Sequence, residues 1–138
     1  MYLLDTNIVS ELRKVKTGKA DYSFTLWAQN LDTDNLYVSA ISIMELEMGI
    51  LQKVRKDSLQ GSVLRNWFEN QVMPAFAGRV LPVDSKVALA CARLHIPDPR
   101  SERDALIAAT ALVNGLTVIT RNTKDFEKTG ITLLNPFL

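Results

Sequence analysis

Five short apolar segments, spaced by helical patterns, constrain this chain more than any other feature. They are "YLLD" (residues 2–5), "LYVSA" (36–40), "RVLPVD" (79–84), "LTVIT" (116–120) and "ITLL" (131–134). Their apolar residues run on without polar alternation, so strands built from them are covered on both faces. The intervening patterns predict helices over 7–14, over 21–31 with Asp21 as N-cap, and over 42–56 with Ile43, Leu46, Ile50 and Val54 in register. Gly61 is read as the break before a further helix that ends near Pro74. Helices follow over 85–94 and over 104–115, where Gly115 is the stop signal, and a short one over 122–128. Strands alternating with helices predict an α/β fold around a mainly parallel sheet of four or five strands. The 138 residues suit one domain, 1–138, and show no repeat, linker or low-complexity tract.

Composition narrows the function classes. Hydrophobic residues at 47% and charged residues at 22% match a globular domain, and no apolar run reaches the ~18 residues of a membrane span. The single cysteine, Cys91, forms no internal disulfide, and only Met1 precedes the first strand, so a cytosolic location is expected. Net charge is +1, which gives no global field for nucleic acid. Committing four acids to a metal ion would leave a surplus of basic groups.

Carboxylates sit where strands end. Asp5 closes the first strand, Glu45 is read in the first turn of the helix after the second, and Asp125 lies in the short helix after the fourth. Asp104 opens the helix that feeds the fourth strand. In an open parallel sheet, chemistry gathers outside the carboxyl ends of the strands. Each acid also has a plain structural use, because acids are favoured in first helical turns. Ser42 to Glu45 fits a capping box, Ser101 to Asp104 and Asn122 to Asp125 are near-variants, and Asp5 suits an N-cap.

Taken together the four are harder to explain as caps. Glu45 and Asp104 stand in largely apolar surroundings, where a charge needs a partner or a metal. An all-oxygen set suits Mg²⁺ or Mn²⁺. With one histidine and one cysteine and neither H-E-x-x-H nor C-x-x-C, a zinc site is disfavoured. A Ser-His-Asp arrangement rests on His95 in a proline-flanked loop, and there is no glycine-rich phosphate loop. Asp-nucleophile phosphatase chemistry wants a second Asp where Asn7 stands.

The segments "LLDTNIVSELRK", "VSAISIMELEMGI", "PAFAGRVLPVD" and "RDALIAATALVNGLTVITRNTKDFEKTGITLLNPF" resemble the PIN-domain ribonucleases. Within them the resemblance is to the VapC-like toxins of type II toxin–antitoxin pairs, including the FitB-like branch. It covers essentially the whole chain. It implies a PIN-like three-layer α/β/α sandwich and Mg²⁺-dependent hydrolysis of RNA phosphodiester bonds, with Mn²⁺ a possible substitute and a structured RNA such as tRNA as target. Carried over position by position, the acidic centre falls on Asp5, Glu45, Asp104 and the "TRNTKDF" segment. Asp5 and Asp104 are the implied direct ligands, and Glu45 faces the same pocket, directly or through water. Asp125 is taken as the fourth acid, with Asn122 as its competitor and supporting group. Thr6, Asn7 and Thr120 match the polar surround, and Asp98 is read as a surface acid.

RNA needs a cationic rim. Arg13, Lys14, Lys16 and Lys19 cluster after the first helix, but Arg121 and Lys124 flank the acidic segment and are the first choices for RNA contact. The resemblance further implies a homodimer and a VapB-like antitoxin. The antitoxin groove is sought on the helix pair 42–76, at Met44, Met48, Leu51, Trp67 and Phe68, although most of these suit the core. The competing readings are a catalytically silent PIN-like module, acting through dimerisation and partner binding, and a metal-dependent phosphatase.

Overall fold

The computed structural model describes residues 1–137. Strand β1 (Tyr2–Leu4) is central. Strands β2 (Leu36–Ser39) and β3 (Val80–Leu81) extend the sheet on one side, and β4 (Thr117–Ile119) and β5 (Leu133–Leu134) on the other. The order is β3-β2-β1-β4-β5 and every pair is parallel. The α/β fold with a parallel sheet of five strands agrees with the sequence reading. The strands are shorter than their apolar segments. After β3 comes Pro82, which has no N–H to continue a ladder.

Helices cover both faces. They are α1 (Thr6–Lys16), α2 (Tyr22–Gln29), α3 (Ala40–Lys56), α4 (Ser58–Trp67), the one-turn α5 (Met73–Ala75), α6 (Ser85–Leu94) and α7 (Glu102–Asn114). On one face Leu4, Leu36, Val38 and Ile119 pack against Ile8 and Val9 of α1, Phe24 of α2, Leu46 and Ile50 of α3, and Trp67 and Phe68. On the other, Leu3 and Val118 meet Ile107, Ala108 and Ala111 of α7. Val87 and Cys91 of α6 then close over Ala105 and Ala109. Leu3 and Leu4 thus go to opposite layers, as do Val118 and Ile119, because side chains alternate along a strand.

The helix ends follow local chemistry. Asp21 accepts a hydrogen bond from the Phe24 amide at 3.0 Å and caps α2, as expected. Gly115, at φ +65°, ends α7 in the left-handed conformation that glycine tolerates. Gly61 behaves otherwise than expected. The chain turns at Asp57, which accepts from the Gln60 amide at 3.2 Å, and Gly61 lies inside α4. A Cβ there would stand 2.6 Å from the Val54 Cα, so the glycine permits close contact between α3 and α4. The helix beyond it is also not uniform: a π-type turn over Phe68–Val72 joins α4 to α5.

The strand order decides where a site can form. After β1 the chain moves outward to β2 and β3, then returns across the sheet to β4 on the other flank of β1. The reversal opens a crevice at the carboxyl ends of β1 and β4. Asp5 and Thr120 are the residues that step off these two strands.

Candidate active site

Asp5 is 7% exposed and has two roles at once. One carboxylate oxygen accepts the Thr6 amide at 2.8 Å and caps α1. The other accepts the hydroxyl of Thr120, itself fully buried, at 2.8 Å. The Asp5 amide donates to the Ile119 carbonyl at 2.9 Å. The helix-cap reading and the site reading of Asp5 are therefore one arrangement. Thr120 Oγ1 also accepts the Asn122 amide at 3.0 Å, which ties the "TRNTKDF" turn to the end of β1.

Glu45 is oriented from below. Thr6 Oγ1 donates to Glu45 Oε1 at 2.7 Å and lies 2.8 Å from Ser42 Oγ. Thr6 has one hydroxyl proton, which the carboxylate takes, so Ser42 is the donor to Thr6. Ser42 is fully buried and is not the helix cap. Ser39 caps α3 by accepting the Ile41 amide at 3.0 Å, and Glu45 lies in the second helical turn, not the first. Ser101 and Asn122 hold N-cap positions, yet neither makes a side-chain capping bond. Asp104 is in the first turn of α7, and Asp125 in a 3-10 turn over Thr123–Phe126.

One open cleft of about 560 Å³ is lined by Asp5, Thr6, Asn7, Glu45, Asp104, Asn122 and Asp125. The structure thus brings all four acids together, with both competitors for the fourth place. Electrostatics reflect this. Burial pushes the Asp5 carboxyl above its ordinary range, against the hydrogen bonds from Thr120 and the Thr6 amide, and the charges of Glu45 and Asp125 add to the rise. Asp104 is raised by burial, then by Asp125, Asp5 and Glu45. Asp125 therefore acts on both proposed ligands. Among the described residues no three acidic side chains converge closely enough to grip an ion as they stand. The donor set is all oxygen, which fits a hard divalent cation.

The expected RNA contacts lie outside this cleft. The Arg121 guanidinium stacks over the Phe137 ring at 4.3 Å and lines a neighbouring concavity with Asn7, Glu11 and Asn122. Lys124 is exposed on the 3-10 turn, and neither residue lines the acidic cleft. The basic residues that do line it are Arg103 and Lys53, which sequence reasoning missed. Asp98 is exposed in its loop, as expected.

A second, apolar groove of about 280 Å³ lies between α1, α2 and the segment after α4. Leu12, Val15, Ala28, Trp67, Val72 and Phe76 line it, with Arg13, Lys16 and Arg79 among its basic residues. This differs from the groove sought on the helix pair. Trp67 and Phe68 are buried, whereas Met44, Met48 and Leu51 face solvent along α3. Trp67 lines both the groove and the acidic cleft.

A parallel sheet in this order, with carboxylates gathered at its switch point, matches the architecture of PIN domains. The chain belongs to the PIN domain family, whose model matches residues 2–131. Among its relatives, VapC ribonuclease Y4jK of Sinorhizobium fredii is 37% identical over 99% of this chain and 98% of its own length. Toxin FitB of Neisseria gonorrhoeae is 32% identical over 99% of each. The crystal structure of FitAcB from Neisseria gonorrhoeae matches with a TM-score of 0.88 at 32% identity, covering 99% of both chains. No helix among the described residues is long and apolar enough to cross a membrane.

Proposed function

We propose that this protein is a Mg²⁺-dependent endoribonuclease toxin of a toxin–antitoxin pair, cutting single-stranded segments of a structured RNA such as tRNA. The observation that carries the reading is the gathering of Asp5, Glu45, Asp104 and Asp125 on one cleft at the ends of β1 and β4. Full-length similarity to a VapC ribonuclease and to toxin FitB supports both the activity and the pairing with an antitoxin.

In this reading Asp5 and Asp104 hold the ion, Glu45 faces it, and Asp125 completes the set with Asn122 beside it. When bound, the ion supplies Lewis acidity toward the phosphate and the attacking water. Thr120 and the Thr6 amide fix the two oxygens of Asp5. Ser42 and Thr6 fix Oε1 of Glu45, so this carboxylate orients and does not swing. Asp125 is exposed and lines the cleft, which supports reading it as the acid that takes the proton of the attacking water. Single-stranded RNA is the expected substrate because an open cleft admits splayed nucleotides, whereas closed A-form RNA hides its bases.

The protein acts as a homodimer. Met44, Met48 and Leu51 form one exposed stripe on α3 at helical spacing, a face suited to a second copy. The antitoxin segment occupies the apolar groove lined by Leu12, Val15, Ala28 and Phe76.

The test uses protein purified away from any antitoxin and incubated with total RNA in Mg²⁺ or EDTA. Discrete fragments are expected with Mg²⁺ and none with EDTA. Asp5→Asn and Asp104→Asn should each slow cleavage by more than the ~10²-fold that loss of a ligand's supporting partner costs. Cleavage by either variant at the wild-type rate would sink the assignment.

A further inference from the structure

We propose that Arg103 and Lys53, with the bare backbone of Gly49 between Glu45 and Lys53, form the track on which RNA phosphates enter the acidic cleft. Arg103 grips the phosphate beside the carboxylates. The proposal deepens the ribonuclease reading and rests on it.

The acidic cleft has a problem that its own chemistry creates. Four carboxylates line it, and the substrate is a polyanion, so approach needs cations inside the cleft and not merely near it. Arg103 and Lys53 are the basic residues in its wall. Four other arginines are engaged elsewhere. Arg79 donates to the carbonyls of Thr33, Leu36 and Ala75, Arg65 is held by Glu47 at 2.6 Å, and Arg100 donates to the Leu94 carbonyl at 3.0 Å. Arg121 is stacked on Phe137.

Arg103 is held loosely by comparison. Its Nη1 lies 3.5 Å from Glu45 Oε2, beyond the span of a charge-assisted hydrogen bond, and 3.9 Å from the Met48 sulfur. Its Nε and Nη2 make no hydrogen bond or ion pair among the described residues, and its side chain is 48% exposed. Such a pair separates easily and leaves a planar fork free for the bidentate grip that suits phosphate. Because Thr6 fixes the other oxygen of Glu45, the carboxylate stays in place when Arg103 moves.

Gly49 is the second observation. It lies mid-helix in α3, on the face that carries Glu45 and Lys53 at intervals of four residues. A Cβ at Gly49 would meet nothing within 4 Å, so packing does not demand the glycine. Yet it lines the cleft, where it leaves the wall flat between the acid and the lysine. Close approach of a nucleotide backbone gives such a glycine a use.

The test is binding of a short fluorescein-labelled single-stranded RNA to the antitoxin-free protein in EDTA, read by anisotropy across a range of NaCl. Arg103→Gln and Lys53→Gln should each lower the slope of log affinity against log salt by about 0.7, the value for one lost phosphate contact on a single strand. Lys19→Gln, beyond the far end of α1 from Asp5, should leave it unchanged. Arg103→Lys should keep the slope but raise KM for cleavage, because it keeps the charge and loses the fork. Gly49→Phe should abolish binding while its melting temperature still rises with Mg²⁺. If wild type cuts RNA with Mg²⁺ while both glutamine variants keep its slope and KM, the track is overturned and the nuclease stands. If wild type neither binds nor cuts RNA, the nuclease reading falls and the track with it.

Discussion

Asp104 shows how an acid in the cleft wall bears on stability. Its carboxyl is raised by burial and by three neighbouring acids. A carboxyl raised in the folded state binds its proton more tightly there than in the unfolded chain. Its favourable effect is full below the unfolded value of about 3.8 and is lost as pH rises through the folded value. Metal-free protein at neutral pH therefore carries a repulsion that Asp104→Asn removes. By thermal melting in EDTA, that variant should unfold a few degrees higher than wild type at pH 7.5, with the gap narrowing toward pH 4.5. Added Mg²⁺ should raise the melting temperature of wild type more than that of the variant, because ligands stabilise the state they bind. A variant that melts lower than wild type at pH 7.5 would show that the acids do not repel.

At this scale Asp5 and Asp104 are legible because a strand end and a first helical turn can be read locally, whereas Glu45 lies one turn further into its helix than its spacing suggests. Ser42 was misread because its sequence position offered a cap, while the fold turned its hydroxyl to Thr6, 36 residues away in sequence. Arg103 and Lys53 were missed for the same reason. Nothing local distinguishes a cation in a cleft wall from a solvated one, and Arg121 and Lys124 stand next to the acidic turn without lining the cleft.

Among the elements, α3 and α4 carry two glycines with opposite uses. Gly61 permits the close approach to Val54, where any Cβ collides with backbone. Gly61→Ala should cost roughly 1–3 kcal/mol, the usual range for overpacking. Gly49→Ala has open space around it and should stabilise by up to about 1 kcal/mol, the helix-propensity difference. Urea unfolding of the two variants checks both signs, and equal effects would remove the distinction. A sequence pattern sees a glycine near an expected helix end and reads a break. It cannot see the neighbouring helix that makes the same residue a contact. Asp21 and Gly115 were read correctly because capping depends on the residue and its near neighbours alone.

For the whole molecule, the pattern of apolar segments predicted a parallel sheet but not its order. The order depends on which strands pair, a long-range property, and it is the order that brings Asp104 and Asp125 to Asp5. It also sets the acidic cleft beside the apolar groove, with Trp67 in the wall of both. A partner segment lying in the groove therefore sits next to the acidic cleft, which gives the proposed antitoxin a direct route to block it. Ala28 is a partly exposed groove residue on α2, so Ala28→Arg places a long side chain in space the protein's own atoms leave open. The variant should cut RNA at the wild-type rate, since Ala28 is absent from the acidic cleft. It should lose affinity for the antitoxin by at least about tenfold, the effect of one disrupted interface anchor. Co-expression with the antitoxin should then fail to restore growth, while wild-type toxin is silenced. Full neutralisation of Ala28→Arg, with cleavage intact, would mean that the antitoxin does not use this groove.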